Sequence, residues 1–291
     1  MEVYLVKMTE IEKLVERVAS YFKKQVKNEL SSRLASFYVV GSYAFGKISK
    51  QRPDINFLLI FDKFTTPDDY LIVGEICRAL EKEFKNEVTI KIEFRPFRYI
   101  RPRYNNKVEV SVNPIIISVG EIKAMRGIIF NKWFTNGLKS TSRLIFGKDF
   151  LKTLKDQKIS KEDIKKGAGF DLTFFSLPLS RAPAQYWKDE LNLLLNESLT
   201  NAKNIAFFGI EAAMSEEELN RKAYIEYHKN KDKIVGFYQK RYGGKEAQMV
   251  KRVLEVRDQY LKYKNNPLVA KEMFSIALQL ANIVRQKVFS S

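Results

Sequence analysis

The chain has 291 residues, and its 51 lysines and arginines against 34 acidic residues give a net charge of +17. This charge favours a polyanionic partner, and 45% hydrophobic residues are enough to build packed cores in about two domains. A single cysteine and a single histidine exclude an intrachain disulfide, a cysteine-based zinc site and a histidine cluster. We find no run of about 18 apolar residues and no signal-peptide pattern, so we expect a cytoplasmic protein without a membrane segment.

The first part of the chain alternates between helical and strand patterns. Apolar residues at helical spacing predict a helix over 9–30, and β-branched and aromatic residues predict buried strands at 36–40 and 55–61. A second helix is predicted over 67–86. Strict alternation of apolar and polar residues over 88–97 then predicts a strand with one polar face.

The middle of the chain contains shorter patterns. Residues 107–119 predict further extended structure that is interrupted at Pro114, and residues 119–139 predict a helix. Residues 143–150 indicate a short extended piece, a glycine turn and the start of another helix. Glycine, proline and serine are frequent over 157–183, which we interpret as a connecting region.

The last part of the chain is helical throughout, with a spacing that is typical of an antiparallel helical bundle. The predicted helices span 184–211, 215–230, 232–241, 245–263 and 267–288. The predicted fold class is therefore α+β, with a small mixed β-sheet domain flanked by helices and followed by an all-α helical bundle. The predicted division is a sheet domain at 1–156, the connecting region at 157–183 and the bundle at 184–291.

One segment, VVGSYAFGKISKQRPDINFLLIF at residues 39–61, combines features that suit a phosphate and a metal ion. Glycine in the turn Gly41-Ser42 allows the backbone to approach an anion, and the serine adds a hydroxyl donor. The helix predicted after this turn would direct N–H groups at the same anion. Asp54 and Asn56 lie two residues apart on a strand, so their side chains share one face. Two carboxylates placed in this way can hold magnesium ions against a triphosphate.

This arrangement of Gly-Ser, a short gap and an aspartate opening a hydrophobic strand resembles the signature of the polymerase-beta-type nucleotidyltransferases. That superfamily includes kanamycin-type antibiotic-modifying enzymes, minimal toxin-system nucleotidyltransferases, tRNA CCA-adding enzymes and poly(A) polymerases. The order of the surrounding helices and strands is also similar, and the helical C-terminal half resembles the bundle of the antibiotic-modifying branch. The resemblance implies transfer of a nucleoside monophosphate from a nucleoside triphosphate onto an acceptor.

The resemblance also implies a role for each residue that matches the motif. Gly41 and Ser42 would contact the nucleotide phosphates, with Lys47 beside them. Asp54 would bind Mg²⁺ or Mn²⁺. Glu93, in the third predicted strand, matches the third acid of the family, which acts as a metal ligand or as a general base. The alternative for Glu93 is a solvated acid on a strand face.

Two positions depart from the family pattern. Asn56 stands where the family has a second acid, and although its amide oxygen can ligate a cation at the catalytic site, it carries no charge. Phe45 stands where many relatives have a basic residue, and Lys47 is the candidate to take over its role. Loss of one carboxylate should weaken binding of two metal ions.

A second segment, FRPFRYIRPRYNNK at residues 94–107, alternates arginines with aromatic residues. Arginine makes bidentate contacts to phosphates, and aromatic rings stack on bases. The candidate nucleic-acid-binding residues are Arg95, Arg98, Arg101 and Arg103. A similar basic and aromatic composition recurs at 237–245. The alternative for residues 94–107 is a basic loop or hairpin whose aromatic residues lie in the core.

Three functions remain open on this basis. The first is a metal-dependent nucleotidyltransferase that acts on RNA or tRNA, which the positive charge favours. The second is the same chemistry on a small molecule or a protein. The third is a catalytically degenerate protein that binds a nucleotide or nucleic acid, because Asn56 replaces the second acid. A helical bundle of this kind also leaves open that two copies pair as a homodimer.

Overall fold

The computed structural model describes residues 8–92, 108–124, 132–176, 179, 182–187 and 190–289. They fall into two compact units. The first, the sheet unit, consists of the chain up to Ala124 together with Thr141–Lys155, and the second, the helical unit, consists of Met125–Ser140 and Asp156–Ser291. The α+β fold class predicted from the sequence is confirmed. The domain boundaries predicted from the sequence stay a prediction.

The sheet unit is built around a mixed five-stranded sheet in the order β3-β4-β2-β1-β5. Strand β1 pairs antiparallel with β2 and with β5, whereas β4 pairs parallel with β2 and with β3. The strands are β1 Leu34–Val40, β2 Asp54–Phe61, β3 Thr89–Ile92, β4 Glu109–Ser118 and β5 Ser142–Gly147. A short 3₁₀ helix, Ser42–Phe45, follows β1.

Helices of the sheet unit pack against this sheet. They are α1 Met8–Leu30, α2 Pro67–Phe84, α3 Val119–Ala124 and α5 Phe150–Thr153. Phe22 of α1 stacks on Phe57 of β2 with ring centroids 4.6 Å apart, and Phe37 of β1 packs against both rings. Because strand side chains alternate, residues next to Phe57 in β2, such as Asn56, point to the opposite face. The aromatic contact therefore fixes which face of β2 carries the polar residues.

Strand β4 runs through Pro114 without the interruption that we predicted. Within the described residues, β3 pairs with β4 as far as Ile92, opposite Val112, and Pro114 pairs with Phe57 of β2. Proline lacks the N–H that a strand paired on both sides would use, yet the pairing of β4 with β2 continues on either side of Pro114. The prediction was wrong because it treated proline as a break without knowing which strands flanked it.

The helical unit contains the helices α4 Lys132–Thr141, α6 Lys161–Ser176, α7 Ala182–Trp187, α8 Leu191–Ala213, α9 Arg221–Lys229, α10 Lys231–Arg241, α11 Gly244–Asp258, α12 Tyr260–Tyr263 and α13 Pro267–Phe289. Leu195, Leu199, Ala202 and Ile205 of α8 are fully buried in its core. A Cβ built on Gly209 of α8 would lie 2.9 Å from Val284 Cγ2 of α13, so α8 and α13 approach closely. The helices predicted at 232–241 and 267–288 agree with α10 and α13. The helix predicted at 215–230 is shortened to α9, and those predicted at 184–211 and 245–263 each correspond to two helices.

The segment 157–183, which we interpreted as a connecting region, contains α6 and α7. Helix α6 starts with a reciprocal cap in which the Ser160 hydroxyl accepts from the Asp163 N–H and the Asp163 carboxylate accepts from the Ser160 N–H. Ile164 and Leu172 are buried in the core. Burial of these side chains outweighs the poor helix propensity of the glycines in KKGAGF, so α6 forms within the segment that we interpreted as a connecting region.

Helix α13 is the described helix that is long and apolar enough to cross a membrane by length and composition, a feature that our sequence analysis did not single out. In its most apolar window 44% of the residues are buried within the fold. Met273, Ala277, Leu280 and Val284 belong to the core of the helical unit. A core helix of this composition passes the same test, so the feature is weak evidence for a membrane span.

Candidate active site

The turn after β1 is built from two glycines with left-handed backbone. Gly41 has φ 73° and Gly46 has φ 69°, conformations in which an L side chain is strained. Between them lies the 3₁₀ helix Ser42–Phe45, where we predicted a longer helix. Gly46 ends the helix after four residues, so an aligned helix dipole is not available to hold an anion here. The groups of this turn that can contact an anion are its backbone and the exposed side chain of Ser42.

Three contacts within the sheet unit hold this turn in place. The Gly41 N–H donates to the Thr141 carbonyl at 3.0 Å, and the Lys47 N–H donates to the Ser42 carbonyl at 3.0 Å. Tyr43 is buried, and its hydroxyl donates to the Glu16 carboxylate of α1 at 2.8 Å. Burial and this hydrogen bond raise the pKa of Tyr43 above its usual range. Tyr43 thus ties the turn to α1, a role that sequence patterns did not indicate.

Replacing Tyr43 by phenylalanine should lower the free energy of unfolding by about 1 kcal/mol, because one hydrogen bond to a charged group is lost while the ring still packs. Urea denaturation measures this change. Tyr21→Phe is the matched control, since Tyr21 of α1 makes an edge-on ring contact with Phe84 that does not involve its hydroxyl. Equal stability of Tyr43→Phe and the wild type would show that the Glu16 contact does not hold the turn.

The register of β1 and β2 brings Asp54 and Asn56 to this turn. Val40, the last residue of β1, pairs with Asn56. A Cβ built on Gly41 would lie 3.5 Å from the Asn56 Nδ2 atom. Asp54 and Asn56 are half-buried and share the sheet face opposite to α1. The structure therefore places the glycine turn beside the polar residues of β2.

Asn113 of β4 completes this cluster, and sequence reasoning did not identify it. The parallel pairing of β2 with β4 places Asn113 beside Asn56 and Ser111 beside Asp54. Asn113 Nδ2 donates to Asp54 Oδ1 at 2.5 Å and to Asn56 Oδ1 at 2.9 Å, and its side chain is buried. An asparagine within the apolar run VSVNPIII was a signal of a polar contact, but it did not identify the partner.

The described residues do not fit the two-metal site that the family resemblance implies. Within the described ranges no group of three or more histidine, cysteine, aspartate or glutamate side chains is placed to hold a metal ion. Beside the turn the donors are the Asp54 carboxylate and the neutral Asn56 amide, and the Asn113 amide N–H group lies between their oxygens. Hard divalent cations need several oxygen ligands and negative charge, which this set does not supply alone.

Other predicted site residues lie elsewhere or outside the described part of the chain. Lys47 is exposed and directly follows the turn. The predicted third acid and the arginine segment lie outside the described residues, and their roles stay predictions. They are Glu93, Arg95, Arg98, Arg101 and Arg103.

The basic and aromatic segment 237–245 belongs to the core of the helical unit. The rings of Tyr238 and Tyr242 stack with centroids 4.6 Å apart. The Tyr238 hydroxyl donates to the Ala206 carbonyl at 2.9 Å, and the Tyr242 hydroxyl donates to the Gly209 carbonyl of α8 at 2.6 Å. These rings are therefore not available to stack on bases. His228, which we took for a surface residue, is exposed.

The glycine turn lies beside the polar residues of β2, on a mixed sheet that is accompanied by a helical unit. No protein-family model and no curated protein matches the chain. Among solved structures, the crystal structure of the spectinomycin adenyltransferase AAD(9) from Enterococcus faecialis with ATP and spectinomycin matches 93% of this chain and 99% of that chain. The TM-score is 0.51 and the sequence identity is 12%, so the likeness shows the fold. The family resemblance of residues 39–61 is thereby confirmed at the level of the fold.

Proposed function

We propose that this protein is a nucleotidyltransferase that transfers a nucleoside monophosphate from a nucleoside triphosphate, carrying Mg²⁺ or Mn²⁺, to a hydroxyl acceptor. The observation that carries the proposal is the placement of Asp54 beside the glycine turn, fixed by the pairing of Val40 with Asn56. The solved structure of similar fold is an adenyltransferase with ATP. That likeness supports a nucleotide as the substrate.

In this proposal each residue at the turn acts on the triphosphate. Gly41 has no side chain to keep a phosphate from the backbone, and the exposed Ser42 hydroxyl donates to it. Lys47, one residue beyond Gly46, adds positive charge. Asp54 would hold the divalent cation that the nucleotide brings with it, and such a cation would neutralise charge on the phosphates. Glu93 remains the proposed base toward the acceptor hydroxyl.

RNA or tRNA is the acceptor that the charge of +17 favours. The proposal now depends on the segment 94–107, because the rings of 237–245 are used in the core. A small hydroxylated molecule is the second candidate. It is favoured by the solved adenyltransferase with spectinomycin, whose likeness extends over 93% of this chain and so includes the helical unit.

A labelling experiment tests the proposal. The protein is incubated with each α-³²P-labelled nucleoside triphosphate and Mg²⁺ or Mn²⁺, in the presence of total RNA or of a panel of aminocyclitols and aminoglycosides. Label in RNA supports the first acceptor, and label in a small molecule supports the second. If no label is transferred and equilibrium dialysis detects no binding of any triphosphate, the proposed function is wrong.

The variant Asn56→Asp tests whether the native site is degenerate. A second carboxylate should strengthen cation binding, and we expect a rise of about tenfold or more in the rate of transfer, equivalent to about 1.4 kcal/mol. Initial rates with the labelled triphosphate measure it. If the wild type binds triphosphate without transferring label and Asn56→Asp gains transfer, the native protein is a nucleotide-binding relative that has lost its activity.

A further inference from the structure

The buried amide of Asn113 occupies the position between two oxygens that would otherwise converge on a cation. Its Nδ2 atom lies 2.5 Å from Asp54 Oδ1 and 2.9 Å from Asn56 Oδ1, and the side chain is 4% exposed. An amide nitrogen carries two N–H donors, so each oxygen accepts one of them. A single neutral group therefore satisfies both acceptors at the centre of the cluster.

The charge of Asp54 determines which end of this amide faces the cluster. A carboxylate can only accept hydrogen bonds, so an amide oxygen placed 2.5 Å from it would be repelled unless a cation lay between them. The observed orientation leaves Asn113 Oδ1 buried without a hydrogen-bond partner among the described residues. A buried polar atom without a partner is unfavourable, which indicates that the contact with Asp54 dominates the orientation.

From this geometry we infer that the Asn113 amide ties Asp54 to Asn56 and competes with free divalent cations for their oxygens. A cation that binds both oxygens must displace two hydrogen bonds, one of which is charge-assisted. The protein should therefore bind free Mg²⁺ or Mn²⁺ weakly. This competition occurs in the free protein and does not depend on the proposed function.

Binding of Mn²⁺ to the full chain without nucleotide tests the inference, with free Mn²⁺ measured by electron paramagnetic resonance. Asn113→Leu keeps the branched shape of the side chain but can neither donate to Asp54 nor ligate a cation, and Asn113→Ala removes the amide with less bulk. We expect both variants to bind Mn²⁺ at least about threefold more tightly than the wild type does. Ser111→Ala is the control, because it changes the same face of the same strand and leaves the Asn113 amide in place.

The sign of the change is decisive. If Asn113→Leu and Asn113→Ala bind Mn²⁺ more weakly than the wild type, Asn113 is an oxygen ligand and the inference is overturned. Equal binding by all variants would also overturn it, because the amide then does not compete. Asn113→Asp gives an independent readout: it should melt at a lower temperature in chelator, where two carboxylates face each other, and recover in Mn²⁺. If Mn²⁺ does not change the melting temperature of Asn113→Asp, no cation binds between these oxygens, and the inference is contradicted.

A further measurement separates this inference from the proposed function. Binding of ATP to the wild type is measured by equilibrium dialysis in chelator and in Mn²⁺. If ATP does not bind under either condition, the proposed function fails, whereas the sign of the Mn²⁺ change in the Asn113 variants still decides the inference. If ATP binds and the variants do not change Mn²⁺ binding, the inference fails alone.

Discussion

Replacing Asp54 by asparagine reduces nucleotidyl transfer by about 10²-fold or more, the loss expected when a charged group that stabilises a transferring phosphoryl group is removed. Asp54 is the carboxylate beside the glycine turn in the described part of the chain, and its neighbour Asn56 is neutral. The new amide has the same shape and still offers an oxygen to Asn113 Nδ2. The fold should therefore be preserved while the charge is lost.

Initial rates with the acceptor found by labelling measure this effect, and the dissociation constant for Mn²⁺–ATP should rise in the same variant. Asp62→Asn is the matched control, because Asp62 is an exposed acid directly after the other end of the same strand, β2. We expect Asp62→Asn to transfer at the wild-type rate. An Asp54→Asn variant with an unchanged rate would place the cation of the nucleotide somewhere other than at β2.

The parts of the site that are close in sequence could be predicted. Gly41 directly follows β1, and Asp54 begins β2, the next strand in the chain. Two consecutive strands with a short connection are usually antiparallel neighbours in a sheet. The hydrophobic pattern of 36–40 and 55–61 located both strands, and the two-residue spacing of Asp54 and Asn56 set their common face. Local sequence information was sufficient for this half of the cluster.

Asn113 could not be predicted, because its contact depends on which strand lies beside β2. Asn113 and Asp54 are 59 positions apart, and β4 inserts between β3 and β2 in the sheet. Alternation of apolar and polar residues indicates which face a side chain occupies, but not which strand pairs with which. The residue found next to Asn56 is an amide on β4. Glu93, the third acid that the family resemblance implies, lies outside the described residues and stays a prediction.

Amino-acid composition was a poor guide to function where side-chain hydroxyls donate to buried backbone carbonyls. The segment 237–245 has the lysine, arginine and tyrosine content of a nucleic-acid-binding surface, yet Tyr238 and Tyr242 direct their hydroxyls to carbonyls of α8. For helix α6, by contrast, the sequence contains a local signal of a helix start, but we gave more weight to the glycines of this segment. Ser160 and Asp163 have the spacing of a helix cap, and Ile164 follows at once.

The largest effect on stability is expected for Gly147→Ala, which should lower the free energy of unfolding of the sheet unit by about 3 kcal/mol or more. Gly147 ends β5 with φ 89°, where an L residue is strained. A Cβ at this position would lie 2.4 Å from the Ala35 carbonyl oxygen. That oxygen belongs to β1 and accepts the Lys148 N–H at 2.9 Å, so it cannot move away without breaking the attachment of β5.

Alanine variants of two other glycines in the sheet unit distinguish backbone strain from steric overlap as the cause of this effect. Gly46→Ala meets a positive φ of 69° but no atom within 4 Å, so it should cost about 1–2 kcal/mol from backbone strain alone. Gly74→Ala, inside α2 with open space around it, should stabilise the protein by up to about 1 kcal/mol. Denaturant unfolding followed by circular dichroism ranks the three variants. If Gly147→Ala lowers the free energy of unfolding no more than Gly46→Ala does, the close approach of β5 to the Ala35 carbonyl is not rigid. In that case β5 does not fix the position of β1, the strand that leads into the Gly41 turn.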